Sequence, residues 1–198
     1  MKTNYVLIDY ENVQPEAMAV LAQDHFKVLV FVGANQAKVT FEVASALQQM
    51  GDRAEYVKIT GNGSNALDFH IAFYIGVLAG IEPEAYFHIV SKDTGFDPLI
   101  QHLKAKKILA YRSKDVSEIP IVKAANSKSP TERLDVVIAD LQRRGASKPR
   151  KVKTLCSTIN SIFQKQLSEH EVAALMTALQ KHGVVTVTDT NVSYTLPA

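Results

Sequence analysis

The sequence predicts an α/β protein, a doubly wound parallel sheet followed by a small winged-helix-like α+β domain. Three observations carry this prediction. In the first 112 residues short apolar runs alternate with amphipathic helical stretches. The runs are nearly continuous in Val, Ile, Leu and Phe, as strands covered on both faces require. After residue 130 the pattern changes to three helical faces followed by one hairpin.

The elements follow in order. Residues 6–9 form a short apolar strand that ends in acids. Residues 15–23 place Ala17 and Leu21 at helical spacing, with Pro15 in the first turn. Residues 27–32 are β-branched and aromatic, a second strand closed by Gly33. Val39, Val43, Leu47 and Met50 share one helical face, which Gly51 terminates. Residues 54–59 are the third strand, and Gly61-Asn-Gly-Ser64 is a loop. Residues 65–79 form a helix whose core face is Leu67, Ile71, Ile75 and Leu78. Residues 85–91, 96–103 and 107–111 complete the alternation as strand, helix and strand.

Residues 113–130 contain Pro120, Pro130 and three lysines with little periodicity, and read as an extended linker. Leu134, Val137, Ile138 and Leu141 then make a helical face ended by Gly145. Leu155, Ile159, Ile162 and Phe163 make a second. Ser168-Glu-His-Glu171 is a capping box that opens a third, with Val172, Leu175 and Leu179, stopped by Gly183. Residues 184–188 and 192–196, joined around Asp189-Thr-Asn191, form a hairpin. There is no internal repeat and no low-complexity tract.

A chain of 198 residues, 46% hydrophobic, suffices for one or two globular cores. The net charge of +2 conceals an asymmetry. Residues 1–120 hold 11 basic and 14 acidic side chains, net −3, whereas residues 121–198 hold 11 and 6, net +5. The second part is therefore suited to meet phosphate, unless the asymmetry is only a solvated basic face. The single Cys156 excludes an intramolecular disulfide and a Cys-rich zinc site. The start of the chain runs straight into a strand, and no span has membrane length. A cytoplasmic protein with no membrane partner is expected.

The chemistry lies in the acids. Asp9 ends the first strand in Leu7-Ile8-Asp9-Tyr-Glu-Asn12. Asp68 opens a helix in Asn65-Ala-Leu-Asp68. Asp93 and Asp97 lie four apart in the turn after the fourth strand. In a doubly wound sheet the ligand site lies beyond the C-terminal strand ends, where Asp9 and Asp93 fall. Carboxylates gathered at one rim repel one another and stay ionised together only with a cation between them. With oxygen ligands and no Cys or His cluster, that cation is hard, Mg2+ or Mn2+. Such a site holds a phosphodiester, activates a water and stabilises the leaving oxygen. Asp9, Asp68, Asp93 and Asp97 are the expected ligands, direct or through water. Asn12 and Asn35 are expected to orient phosphate or a metal-bound water, and Lys92 to contact phosphate.

Each acid also has a purely local explanation. Asp97 before Pro98 suits an N-cap, Asp68 the acidic half of a capping box, and Asp93 an ordinary turn. Glu11 reads as a rim residue and Glu42 as solvated, either being available as an additional acid. His70 lies about 200° round the helix from Asp68 and should not share its face. His88 should be buried. Phe69, Phe73 and Tyr74 read as core rather than as platforms for bases.

The three acidic stretches, Ile8-Asp9-Tyr-Glu-Asn12-Val, Asn65-Ala-Leu-Asp68 and Ser91-Lys-Asp93-Thr-Gly-Phe-Asp97-Pro-Leu, resemble the motifs of PIN-like nucleases. Among those they are most similar to the NYN type, which pairs a first-strand Asp with an Asn three residues on. The resemblance implies a PIN fold over residues 1–112 and metal-dependent endoribonuclease activity, with Asp9, Asn12, Asp68, Asp93 and Asp97 catalytic. NYN relatives often carry a Lys shortly before the helix Asp, where this chain has Gly63-Ser64-Asn65. Residues 131–198 resemble the winged-helix modules called OST-HTH or LOTUS domains. That implies RNA or protein binding, with Lys148, Arg150, Lys151 and Lys153 touching phosphate. RNA is the expected partner, with single-stranded DNA and homo-oligomerisation left open.

Two other function classes compete. A PIN-like shell that binds RNA without cutting it would explain the missing loop lysine and the basic tail. A phosphatase with Asp9 as phosphoacceptor would need a second Asp where Glu11 stands. No Gly-rich nucleotide fingerprint follows the first strand, which argues against a dehydrogenase.

Overall fold

Every residue of the first strand, Asn4–Asp9 (β1), is buried, as its unbroken apolar run requires. The computed structural model describes residues 2–163 and 165–197, and they divide into two compact units, Met1–Ile119 and Pro120–Ala198. In the first unit Phe26–Val32 (β2), Ala54–Lys58 (β3), Tyr86–Val90 (β4) and Leu109–Ser113 (β5) join β1. They form a five-stranded sheet in the order β3-β2-β1-β4-β5, every neighbouring pair parallel. The chain moves outward from β1 in one direction, then returns to build β4 and β5 on its other side. The switch point therefore lies between β1 and β4, and in such sheets ligands bind beyond the C-terminal strand ends there.

Right-handed crossovers send successive connections to opposite faces once the winding direction reverses. On one face Leu7, Leu29, Phe31, Phe87 and Ile89 pack against two helices, Ala66–Ile81 (α2) and Phe96–Ala105 (α3). The helices contribute Leu67, Ile71, Ile75, Phe96 and Leu103. On the other face the alternate residues Val6, Ile8, Val28 and Val30 are buried. There Phe41–Met50 (α1) and a 3-10 turn, Met18–Ala22, supply Val43, Leu47, Met50, Met18 and Leu21. Burying each such side chain contributes about 1.5–3 kcal/mol. Thr40 caps α1 by accepting from the Val43 N–H, and Gly51, at φ 56°, ends it as expected.

Several expectations need correction. The stretch 15–23 is no α-helix. Ala17 offers no side-chain cap, and only a five-residue 3-10 turn forms. The continuous-run pattern holds for β1, β2 and β4, but the edge strands β3 and β5 are mostly exposed or half-buried. The segment 113–130 is not extended. It contains a 3-10 turn, Val116–Glu118, and a helix, Pro120–Asn126 (α4), which bury Val116, Ile119, Val122 and Ala124. Phe69 and Phe73 are not core, being 70% and 66% exposed. Helix α2 is apolar on nearly every side, so periodicity could not tell its inner face from its outer. Tyr74 does pack inward, edge-on to Phe31.

The second unit contains α4, then Pro130–Arg143 (α5), Val152–Ile162 (α6) and Glu169–Lys181 (α7), then a hairpin of Val185–Thr188 (β6) and Asn191–Tyr194 (β7). Both α5 and α7 open with complete capping boxes, Ser129 with Glu132 and Ser168 with Glu171. Leu134, Val137, Leu141, Leu155, Ile159, Leu175, Leu179 and Val192 form its core. An antiparallel bridge between Lys151 and Asn191 adds a third short extended segment beside the hairpin. No helix among the described residues is long and apolar enough to cross a membrane.

Candidate active site

Asp9 is fully buried at the last position of β1. A buried carboxylate needs donors, and three are supplied. The chain turns at once after the strand, with the N–H groups of Asn12 and Val13 donating back to the Asp9 carbonyl. That turn brings Asn12 against the side chain. Asn12 Nδ2 donates to Asp9 Oδ2 at 2.6 Å, and its backbone N–H donates to Oδ1 at 3.2 Å. The third donor is Ser91 Oγ, 2.7 Å from Asp9 Oδ2. Ile8 pairs with Val90 in the sheet register, so the next residue of each strand, Asp9 and Ser91, come side by side.

Ser91 also reaches forward. Its Oγ accepts from the Asp93 N–H at 3.0 Å, and Asp93 Oδ1 accepts from the Gly95 N–H at 2.7 Å. One buried hydroxyl thus ties the Asp9 carboxylate to the turn that carries Asp93. The turn role expected of Asp93 is real, and it fixes one carboxylate oxygen in place.

Asp68 stands in the first turn of α2, half-buried. Its helix starts after Asn65 in a left-handed conformation, φ 65°, with no side-chain cap, so Asp68 is no part of a capping box. Its pKa is pushed up to about 6, first by burial and then by the negative charges of Asp9, Asp93 and Glu11. Four acids from three separate segments therefore share one electrostatic neighbourhood. Glu11 is the additional acid. Its carboxylate lies against Gly33 at the end of β2, in the space a Cβ there would take.

Asp97 is held by a cation of the chain itself. Arg112 grips it with two bonds, Nε to Oδ1 at 2.7 Å and Nη2 to Oδ2 at 3.1 Å. That guanidinium holds the Asp97 carboxyl below its ordinary range. Asp97 does not cap α3 either, since Gly95 holds the N-cap position and no side chain caps the helix. Arg112 Nη1 also donates to the Ser91 carbonyl at 3.2 Å, so the pair braces the strand end from behind. Ser91 and Arg112 were not singled out in the sequence. A serine two residues before Asp93 could have signalled a side-chain-to-backbone turn. Nothing local marks Arg112, whose role depends on the β4–β5 pairing.

Lys92 and Asn35 are exposed, Lys92 between Ser91 and Asp93 and Asn35 in the turn after β2. His70 is bound to its own helix through Nδ1 and the Ala66 carbonyl, and His88 is buried on Asn4 Oδ1. In the second unit Arg150, Lys151 and Lys153 are exposed. Lys148 is half-buried, donating to the Gly145 carbonyl and lying over the Tyr194 ring. It serves local packing more than an open basic face.

Among the described residues no three of His, Cys, Asp and Glu are arranged to hold a metal ion. The donors present are all oxygen and their charges repel. They suit a hard cation taken by one or two carboxylates, with water and substrate oxygens filling its shell.

The family model described as PIN domain matches residues 3–112, from the strand that carries Asp9 to the one that carries Arg112. No curated protein matches the chain.

Proposed function

The chain belongs to the PIN domain family, whose members are generally nucleases, and we propose that it is a metal-dependent endoribonuclease. The observation that carries this reading is the charge coupling of Asp68 to Asp9, Asp93 and Glu11 at the switch point of the sheet. Asp9, Asp68 and Asp93 would hold Mg2+ or Mn2+, one or two of them directly and the rest through water. When bound, the ion polarises the phosphodiester and lowers the pKa of an attacking water.

The remaining residues prepare that site. Asn12 and Ser91 fix the rotamer of Asp9 through their three hydrogen bonds. Ser91 and Gly95 hold the turn so that Asp93 presents its second oxygen. Asn12 holds Asp9 through Nδ2, and from there it would orient phosphate or a metal-bound water. Asp97 acts through Arg112 as a positioning residue. Lys92 and Asn35 lie at the exposed rim, where the phosphates flanking the scissile bond would run.

The second unit is read as a winged-helix module of the OST-HTH or LOTUS type. Three helices followed by a hairpin support that reading, and the Lys151–Asn191 bridge sets a short extended segment beside the hairpin. Arg150, Lys151 and Lys153 would meet RNA phosphate.

Labelled RNA incubated with Mg2+ or Mn2+ tests the reading, with single-stranded DNA as a parallel substrate. Cleavage by the wild type and its loss in Asp93→Asn are expected. Equal cleavage by both proteins would remove the assignment. The loop before Asp68, Gly63-Ser64-Asn65 without a lysine, together with the basic second part, favours one second reading, an RNA-binding protein without turnover. Tight RNA binding with no product in any divalent metal would establish it.

A further inference from the structure

The residues of α2 that are exposed are Phe69, Phe73, Gly76, Val77, Gly80 and Ile81, without one polar side chain among them. A helix on the surface of a soluble domain normally turns charged or polar residues to water. Here the outer face is as apolar as the inner one. We propose that this face of α2 is a dimer interface, occupied by the same face of a second copy of the chain.

The occupant follows from charge, shape and area. No lysine or arginine occurs between Lys58 and Lys92. The face therefore offers nothing to the phosphates of nucleic acid or of an anionic membrane. Phe69, Phe73, Val77 and Ile81 recur every four residues and make one ridge about 18 Å long. Gly76 and Gly80 form the adjacent row, and a Cβ at either would meet nothing within 4 Å. A ridge beside a glycine-lined groove is complementary to its own copy. Two such ridges interdigitate at a crossing of about −50°. A two-fold axis near the middle of the ridge sets Phe69 against the partner's Ile81 and Phe73 against the partner's Val77. Each aromatic ring then meets an aliphatic side chain, and the helix dipoles oppose favourably.

The area is also what a dimer needs. Phe69, Phe73, Val77 and Ile81 are 70%, 66%, 45% and 69% exposed. At about 200 Å² for a fully exposed large apolar side chain, they leave on the order of 500 Å² uncovered per copy. That lies toward the upper end of the roughly 300–600 Å² typical of the largest patch on a monomer. Two copies would bury about 1,000 Å² of apolar surface, the apolar share of a standard interface of about 1,600 Å².

Sedimentation velocity on the full chain across the micromolar range tests this. The wild type should sediment at twice the 21.8 kDa chain mass. Phe73→Glu should weaken association by roughly 100-fold or more, since the charge enters the interface twice. Gly76→Glu guards against misfolding. Its side chain projects into open space in the single chain, so its circular-dichroism spectrum should show wild-type helix content while its dimer is lost. A wild type that stays monomeric overturns the proposal. A dimer that survives both substitutions overturns it as well, because association then uses a different surface.

Discussion

Ser91 donates its hydroxyl to Asp9 across the β1–β4 boundary at 2.7 Å, and both residues are fully buried. Removing the hydroxyl leaves a buried carboxylate short of one donor. Ser91→Ala should cost about 2 kcal/mol of stability, the usual worth of a hydrogen bond to a charged group. Divalent-metal affinity should fall roughly 10–100-fold, as for other loosened supports of a ligand. Urea unfolding and Mn2+ titration check the two effects. Unchanged values in both would show that Asn12 alone orients Asp9.

Asp68 sets a pH dependence whose sign is opposite to that of most carboxylates. Its folded pKa is raised from 3.8 to about 6, so the native state binds the proton more tightly than the unfolded chain. The associated stability is fully present below pH 3.8 and is lost as pH rises through about 6. In EDTA, the wild type should therefore lose thermal stability relative to Asp68→Asn as pH rises from 4 to 6, with no further change above. Mg2+ should raise the melting temperature more at pH 7.5 than at pH 5. Parallel pH curves for the two proteins would contradict the coupling.

The Arg112–Asp97 pair predicts a division of labour between two neighbouring acids. Asp97→Asn should leave Mn2+ affinity within a few-fold of wild type, whereas Asp93→Asn should reduce it strongly. Arg112→Ala should lower stability by about 1–2 kcal/mol, because water reaches the half-exposed Asp97 and partly replaces the guanidinium. Urea titrations of both single variants and the double variant should give non-additive losses. Additive losses would mean the two residues do not act together.

The second unit gives a prediction about salt. Replacing Arg150, Lys151 and Lys153 with alanine should flatten the dependence of log K on log salt for single-stranded RNA by about 2, at about 0.7 per phosphate contact. Lys148→Ala should leave that slope unchanged and lower the stability of the unit through the lost Tyr194 contact. Filter binding across a salt series separates the two.

The central strands were legible because burial on both faces leaves unbroken apolar runs, as in Val6-Leu7-Ile8 and Val28-Leu-Val-Phe-Val32. The edge strands were less so, since β3 is largely exposed and carries Glu55 and Lys58. The capping boxes at Ser129 and Ser168 are purely local geometry. Only the second was read, because Pro120 and Pro130 drew the first into an apparent linker. In the site, the grouping of Asp9, Asp68 and Asp93 followed from strand ends and motif spacing. Asp97 is one turn of sequence from Asp93, yet spacing alone could not reveal Arg112, which β5 delivers from 15 residues away.

Mn2+ binding measured by calorimetry on the wild type and on four single Asp→Asn variants bears most directly on the shared-cation site. The expected result is one wild-type site whose affinity drops at least tenfold in Asp9→Asn, Asp68→Asn and Asp93→Asn, and is nearly unchanged in Asp97→Asn. A wild type that binds no Mn2+, or equal affinity in the first three variants and the wild type, would contradict it.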